Sequence, residues 1–256
     1  MNGIIEPIAA TEGAGPVTAS MVVIGDEILS GRTKDVNVAH VAETMTLIGI
    51  DLVEVRIVSD DEDAIIEAVN ALRERTTYLF TTGGIGPTHD DITAEAISKA
   101  FGLPCIYDER AMDILSEAYA ERNMEFTDAR SRMARMPQGA DLIENRVSAA
   151  PGFRIGNVHV MAGVPKIMQA MLDAIVPTLR KGRPMLSRSV VAPMGEGRIG
   201  APLSALQDAH PDVMIGSYPK WNDGKFSTEI VVRGRKEDSV SSALTAVREM
   251  LDELAA

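Results

Sequence analysis

The chain has 256 residues, of which 45% are hydrophobic and 24% charged, a composition typical of a globular protein that buries its own core. Its 25 basic and 37 acidic residues leave a net charge of −12, which disfavours binding to nucleic-acid phosphates. The single cysteine, Cys105, excludes an intramolecular disulfide and a cysteine cluster for zinc or iron–sulfur. No apolar run is long enough to span a membrane, and residues 1–18 lack the features of a secretion signal. We therefore predict a cytoplasmic protein that begins with a flexible leader.

Short apolar runs alternate with amphipathic stretches along most of the chain. The run SMVVI at 20–24 predicts a buried strand, and Asp35 is a suitable cap for the helix that follows it. The strand–helix order then repeats. The predicted strands are 20–24, 52–58, 78–82, 105–107 and 158–162, and the predicted helices are 36–48, 65–72, 91–101, 108–122, 127–135 and 165–179.

This alternating order indicates a parallel sheet with helices on both faces. Residues 19–182 are therefore predicted to form an α/β domain of three layers (α/β/α) with a mostly parallel sheet. The segment KGRP at 181–184 is typical of a linker. Residues 185–256 predict a small β-α-β-β-α domain, in which WNDG at 221–224 is a hairpin signal. Its predicted strands are 187–192, 213–217 and 225–232, and its predicted helices are 198–209 and a last one from 237 onward.

The most informative segment is TTGGIGPTHDDIT at 81–93, because it follows a strand and opens a helix. Its three glycines allow the backbone to approach a ligand and to point several N–H groups at it, and the helix N-terminus adds partial positive charge. The segment is neither a Walker A loop nor G-x-G-x-x-G. Carboxylates beside a phosphate need a bridging cation, so Asp90 and Asp91 are candidate metal or catalytic residues. The alternative is a tight turn in which one of these aspartates caps the helix.

This segment resembles the GG-x-GPT-x-DD-x-T signature of the MoaB/Mog (molybdopterin-binding) superfamily. The chain is most similar to the CinA amino-terminal type (competence/damage-inducible protein A), as a stand-alone short form. Other motifs agree in order: IGDEILSG at 24–31, Asn37, Asn145 with APG at 150–152, GVP at 163–165 and IGSYP at 215–219. The chain departs from the family pattern at Ser148 and Ala149, at Ala162, and at Ile167, where a glutamate is usual.

The resemblance implies a MoaB/Mog fold and a pocket that holds a nucleotide or pterin phosphate over the glycine turn. Asp91 would be a metal ligand, Asp60 a second carboxylate ligand, and Asp90 a base or further ligand, which makes Asp90 and Asp91 the candidate catalytic residues. The alternative for Asp60 is a helix cap. The candidate residues for binding substrate or phosphate are Gly25, Asp26, Glu27, Asn37, Thr82, Gly83, Gly84, Gly86, Pro87, Thr88, Gly163 and Pro165.

The same resemblance implies a divalent-metal-dependent pyrophosphatase, with Mg²⁺, Mn²⁺ or Co²⁺, that acts on ADP-ribose or FAD. Two alternatives stay open: a non-catalytic molybdopterin or nucleotide binding module linked to molybdenum cofactor biosynthesis, and a molybdopterin adenylyltransferase. The expected partners are a small-molecule nucleotide or pterin phosphate and further copies of the chain, as a dimer or trimer.

Several other polar residues receive structural interpretations. Arg130, Arg132 and Arg135 are expected in surface salt bridges rather than in phosphate capture. Cys105 is expected to be buried as a small apolar residue. We expect His89 either to tune the glycine turn or to be exposed, and His159 to be structural or exposed.

Overall fold

The computed structural model describes residues 16–222 and 225–255. The chain divides into two compact units, Met1–Gly182 and Arg183–Ala256. None of the helices in these described ranges is long and apolar enough to cross a membrane.

The first unit is built on a six-stranded sheet. Its strands in spatial order are β2 (Asp51–Val58), β1 (Thr18–Ile24), β3 (Tyr78–Thr82), β8 (Val158–Met161), β7 (Gly152–Ile155) and β6 (Asp141–Ile143). The first four of these strands are parallel, whereas β7 and β6 are antiparallel, so the predicted α/β fold with a mostly parallel sheet is confirmed. In chain order the elements are β1 Thr18–Ile24, α1 Asp26–Leu29, α2 Asn37–Leu47, β2 Asp51–Val58, α3 Glu62–Arg73, β3 Tyr78–Thr82, α4 Thr93–Ala100, β4 Cys105–Tyr107, α5 Glu109–Glu121, α6 Asp128–Ser131, β5 Arg135–Pro137, β6 Asp141–Ile143, β7 Gly152–Ile155, β8 Val158–Met161 and α7 Pro165–Ile175.

Both faces of the central strands are covered, which explains why their sequences are continuous apolar runs. On one face, Val22, Leu79 and Val160 pack against α3, α4 and α5. On the other face, Met21 and Phe80 pack against α2 and α7. Because β1, β2, β3 and β8 are parallel, their carboxyl ends lie at the same edge of the sheet, where ligands of open α/β sheets bind.

The structure corrects several predicted elements. The strand at 105–107 lies outside the central sheet and pairs with β5 in a separate antiparallel ribbon. The helix predicted at 127–135 is replaced by the short α6, a 3₁₀ turn at Arg132–Ala134 and β5. Ala134 and Met136 are buried on either side of the less buried Arg135, which is the two-residue period of a strand rather than the 3.6-residue period of a helix.

The start of the chain also differs from the prediction. Strand β1 begins at Thr18, and Val17 is already buried, so the ordered fold reaches into the segment expected to be a leader. Residues 1–15 of that predicted leader lie outside the described residues.

The second unit is a three-stranded antiparallel sheet with the order β10-β11-β9 and two helices on one face. Strand β10 continues five residues beyond the predicted 213–217 through Pro219, which an edge strand tolerates. The predicted Asp-Gly turn at 223–224 lies outside the described residues. The elements are β9 Leu186–Ala192, α8 Glu196–Ala209, β10 Val213–Asn222, β11 Lys225–Gly234 and α9 Glu237–Ala255, in agreement with the predicted β-α-β-β-α order.

Candidate functional site

The glycine turn after β3 lies directly against the end of β1. Gly83 has a φ of +104°, and a Cβ atom there would lie 2.1 Å from the carbonyl oxygen of Ile24. Gly84 has a φ of +66°, and a Cβ atom there would lie 2.2 Å from Oγ1 of Thr93. Both positions therefore require glycine, for backbone conformation and for space.

The first residue of α4 closes this turn. The Thr93 hydroxyl donates a hydrogen bond to the Gly83 carbonyl, and the Thr93 N–H donates to the Gly84 carbonyl, each at 3.0 Å. On the other side, the Gly83 N–H donates to the Met161 carbonyl at the end of β8 (3.1 Å). The turn is thus bound both to the helix that it opens and to the neighbouring strand.

The carboxylate of Asp91 is held inside the turn. The Thr88 N–H and hydroxyl both donate to Asp91 Oδ2, at 2.8 and 2.5 Å. Helix α4 begins only at Thr93, and its N-cap, Ile92, makes no side-chain capping bond, so the alternative in which Asp90 or Asp91 caps this helix is wrong. The hydroxyl of Thr88, a predicted phosphate ligand, is engaged with Asp91.

Two arginines support the same turn from outside the cleft. Arg132 donates to the carbonyl of Thr88 (3.2 Å) and, at 3.4 Å, to the carbonyl of Asp91. Arg135 donates to the Asp91 carbonyl and forms a largely buried ion pair with Glu95. Arg135 thus forms the expected salt bridge, but the pair is largely buried rather than on the surface, and Arg132 contacts backbone carbonyls instead. The partners lie 40 to 44 residues away along the chain, so no local sequence pattern indicates them.

A cleft of about 600 Å³ opens above the turn, at the carboxyl ends of the parallel strands. Its walls also include Ser148, Ala150 and Ile167. The candidate residues that line it are Gly25, Glu27, Asp60, Gly83, Gly84, Gly86, Pro87, Asp90, Asp91, Gly163 and Pro165.

The remaining candidates lie behind or beside this cleft. Asn37 is buried and donates to the Gly163 carbonyl at 2.8 Å, so it holds the wall of the cleft. Gly163 in turn packs against the glycine turn, since a Cβ atom on it would lie 3.3 Å from the Cα of Gly83. Thr82 is buried in β3, and Asp26 is exposed at the start of α1.

Asp60 joins the ends of β1 and β2 at the cleft. Its Oδ2 accepts a hydrogen bond from the Asp26 N–H at 2.9 Å. The alternative of a helix cap is wrong for Asp60, because Asp61 caps α3 by accepting from the Ala64 N–H.

The acids of the cleft act on one another electrostatically. Partial burial raises the pKa of Asp60, and the hydrogen bond from the Asp26 N–H opposes this rise. The negative charges of Asp26, Glu27 and Asp90 raise the pKa further. The neighbouring Thr88 side chain, and then the backbone N–H of Asp90 itself, lower the pKa of Asp90. The cleft therefore concentrates negative charge that a cation would neutralise.

The fit of a divalent cation follows from the donor chemistry. Every acidic donor in the cleft is a carboxylate, the ligand that Mg²⁺ prefers. No three His, Cys, Asp or Glu side chains within the described ranges are grouped to hold a metal ion. Mg²⁺ is usually bound by one or two carboxylates together with substrate phosphates. These residues therefore fit a cation that arrives with a phosphate, not a cage made by protein alone.

A loop ordered by Asn145 forms the opposite wall. Asn145 is buried; its Oδ1 accepts from the Val147 and Ser148 N–H groups, and its Nδ2 donates to the Ser148 hydroxyl and the Ala150 carbonyl. Ala149 within this loop has a φ of +71°, a conformation that favours glycine. Ala149, one of the residues that depart from the family pattern, thus has a left-handed backbone conformation.

Comparisons with known proteins agree with this geometry. Residues 20–181 match the family model described as probable molybdopterin binding domain. The chain belongs to this molybdopterin-binding family. Residues 184–256 match the model described as FAD synthase, middle domain. The resemblance predicted from the signature is therefore confirmed at the level of the family.

Three similar proteins come from archaea. The protein CinA from Thermoplasma acidophilum, whose structure was solved with its function unknown, is 34% identical, with a TM-score of 0.58, and the match covers 62% of this chain and 96% of that one. A protein of Archaeoglobus fulgidus is 33% identical over 236 residues, 91% of this chain and 97% of its own. A Saccharolobus islandicus protein is 35% identical over 173 residues, 66% of each chain.

His89 and Cys105 complete the account of the predicted residues. His89 is exposed at the tip of the turn, as expected. Cys105 is half-buried rather than buried, and burial raises the pKa of its thiol.

Proposed function

We propose that this protein is a divalent-metal-dependent pyrophosphatase that hydrolyses the phosphoanhydride bond of a nucleotide such as ADP-ribose or FAD. The observation that carries the proposal is that the acidic residues Glu27, Asp60, Asp90 and Asp91 line the same cleft as the glycine turn. A phosphate alone would be repelled by these acids, whereas a phosphate with its cation would be attracted to them.

The chain's own residues supply binding and orientation. Backbone N–H groups of Gly84 to Gly86 would bind the phosphate, and the N-terminus of α4 would add its partial charge. Asp60 and the free oxygen of Asp91 would hold the cation together with the substrate phosphates. When bound, the cation would lower the pKa of a water molecule and neutralise charge that develops on the phosphates. Asp90, as an exposed carboxylate, would accept the proton of the attacking water.

The match of the second unit to the middle domain of FAD synthase supports a nucleotide substrate of the FAD type. The name of that model describes another protein, so its bearing on this chain is part of the proposal. Hydrolysis of FAD or of ADP-ribose would release AMP, which gives one readout for both substrates.

The test compares two neighbouring aspartates. We expect Asp60→Asn to lower AMP release from ADP-ribose and FAD by at least about a hundredfold, in the presence of Mg²⁺, Mn²⁺ or Co²⁺ in turn. The asparagine side chain keeps an oxygen that accepts the hydrogen bond from the Asp26 N–H. The raised pKa of the Asp60 carboxyl means that its negative charge is unfavourable in the folded protein, so removing this charge should cost no stability at neutral pH.

Asp61→Asn is the matched control, because Asp61 caps α3 and does not line the cleft. It should keep wild-type turnover. Equal losses in the two variants, or no AMP from the wild-type protein with any of the three metals, would contradict the proposal.

A second candidate is a non-catalytic module that binds molybdopterin or a nucleotide. Asp91 Oδ2 is occupied by Thr88, and Ile167 lines the cleft where the family usually has a glutamate. Calorimetry with ADP-ribose, FAD and molybdopterin would support this candidate if one of them binds stoichiometrically without turnover. A molybdopterin adenylyltransferase would consume ATP only when molybdopterin is present, but the FAD-synthase-like second unit favours the other branch.

A further inference from the structure

Strand β2 is an edge of the six-stranded sheet that no other strand in the described part of the chain covers. It has eight residues and pairs with β1 on one side only. The carbonyl of Val58 accepts from the Gly25 N–H, so it points towards the β1 side. Because backbone groups alternate along a strand, those of Val55 and Ile57 point outward to the free edge.

This edge carries exposed apolar side chains, which are unusual on an unprotected edge strand. Val53 and Ile57 are 57% and 43% exposed. Leu47, at the end of the helix that leads into β2, is 77% exposed, and Leu29, on α1 beside the other end of β2, is 56% exposed.

The sequence of β2, DLVEVRIV, is complementary to itself in the antiparallel sense. If two copies pair with Val55 opposite Val55, Glu54 lies opposite Arg56 and Val53 lies opposite Ile57. Both charged pairs then join opposite signs, and both apolar pairs join exposed side chains. A shift of the register by two residues would break these pairings, so the pattern selects one alignment.

We propose that β2 pairs antiparallel with β2 of a second copy of this chain, about a two-fold axis through Val55, to give a continuous twelve-stranded sheet. The two strands exchange backbone hydrogen bonds centred on Val55. In this pairing Val53 and Ile57 become covered. The partner strand is that of another copy of the chain, because the order of charges along β2 is complementary to the same order read in reverse.

The flanking helices fit the same arrangement. Antiparallel pairing brings the start of one β2 to the end of the other, and therefore Leu47 towards the partner's Leu29. Helices α1 and α2 pack on the same face of the sheet, where Ile28 and Val41 join one core cluster. All four exposed apolar residues at this edge thus acquire an apolar neighbour.

The charged residues are already organised in a single copy. Glu54 accepts from Arg56 at 2.9 Å and from Arg75 at 3.2 Å, and Arg56 also contacts Glu67. β2 has an irregularity at its start, where Val53 has no partner on β1. This leaves Val53 free to contact the second copy, while residues 54–58 follow β1 regularly.

The experiment measures the mass of the 256-residue chain by sedimentation velocity at micromolar concentration. The wild-type protein should sediment at twice the 27.5 kDa of one chain. Val53→Lys and Ile57→Lys should each halve that mass. Val191→Lys is the matched control, because Val191 is also 57% exposed but lies on β9 of the second unit, and it should leave the dimer intact.

A charge exchange tests the register. E54R places four arginines across the pair and R56E places four glutamates, so each variant alone should be monomeric. A mixture of the two should sediment as a heterodimer, and the double variant E54R/R56E should again form a homodimer. The mixture also shows that both single variants are folded.

A monomeric or trimeric wild-type protein would overturn the proposal. So would loss of the dimer in V191K but not in V53K, or a mixture of E54R and R56E that stays monomeric.

Discussion

At the residue scale, the aspartates of the cleft differ in what holds them. The carboxylate of Asp91 serves the backbone of its own turn through Thr88, whereas Asp60 is fixed from another strand through the Asp26 N–H. Only Asp60 has a pKa raised by burial and by neighbouring acids. We infer that Asp60 responds most strongly to a cation, which is why it is chosen above as the test residue.

Ala149 offers a prediction on stability at the same scale. Its left-handed φ of +71° costs a residue with a Cβ about 1–2 kcal/mol, whereas a glycine costs about 0.5–1 kcal/mol in backbone entropy. We expect Ala149→Gly to raise the free energy of unfolding by about 0.5–1 kcal/mol, measured by urea denaturation. Ala150→Gly is the control, because Ala150 is not among the left-handed residues, and it should lower stability; a loss in both variants would refute the strain argument.

At the scale of elements, the glycine turn is the point where β1, β3, β8 and α4 meet. Its shape depends on backbone contacts, so one added methyl group acts on all of these elements together. The two arginines behind the turn, Arg132 and Arg135, fix its carbonyls from a different part of the chain.

A pair of glycine variants separates steric overlap from backbone strain. Gly83 and Gly102 both have positive φ, but a Cβ at Gly102 meets nothing within 4 Å, whereas one at Gly83 meets the Ile24 carbonyl. Gly102→Ala should cost about 1 kcal/mol of stability and keep ligand binding. Gly83→Ala should cost about 3 kcal/mol or more and abolish binding of ADP-ribose and FAD in calorimetry. Similar costs in the two variants would contradict the close approach of the turn to β1.

At the scale of the whole molecule, each unit has its own core, and the acid response of the first unit centres on His159. This residue is buried in β8 between Tyr78 and Phe80, and burial together with the Arg154 charge lowers its pKa to about 4. The folded protein therefore holds His159 neutral where the unfolded chain, with a pKa near 6.5, takes up a proton. The stability that this group contributes is complete above pH 6.5 and is lost as the pH falls towards 4.

We expect the wild-type protein to lose about 2 kcal/mol of stability between pH 7 and pH 5 from this residue alone. His159→Phe, which fits between the two aromatic rings and cannot be protonated, should lose correspondingly less. His89→Gln, at an exposed histidine, should keep the wild-type dependence in urea titrations at the two pH values. If His159→Phe follows the wild-type profile, another group is responsible.

The sequence by itself determined the features that depend on neighbouring residues. The α/β class and the family follow from local apolar periods and from the signature at 81–93, and both are confirmed. The glycines at 83 and 84 indicated a turn in which the backbone approaches other groups closely, and added Cβ atoms there would overlap the Ile24 carbonyl and the Thr93 hydroxyl. The hydrogen bonds of the Asp91 carboxylate are likewise local, since they come from Thr88, three residues away. Such features are encoded locally because conformation and short-range contacts depend on residues next to one another.

Only the tertiary structure decided what depends on distant partners. β5, β6 and β7 have three or four residues each, too few for a period to be recognised. Their pairing, and that of the predicted strand β4 with β5, is a non-local choice. The contact of Asp26 with Asp60, the support of the glycine turn by Arg132, and the position of Asn37 behind the cleft join residues 34, 44 and 126 positions apart. The exposed edge of β2 also appears only when the order of strands is known. These contacts form where the folded chain brings surfaces together, and no local pattern specifies them.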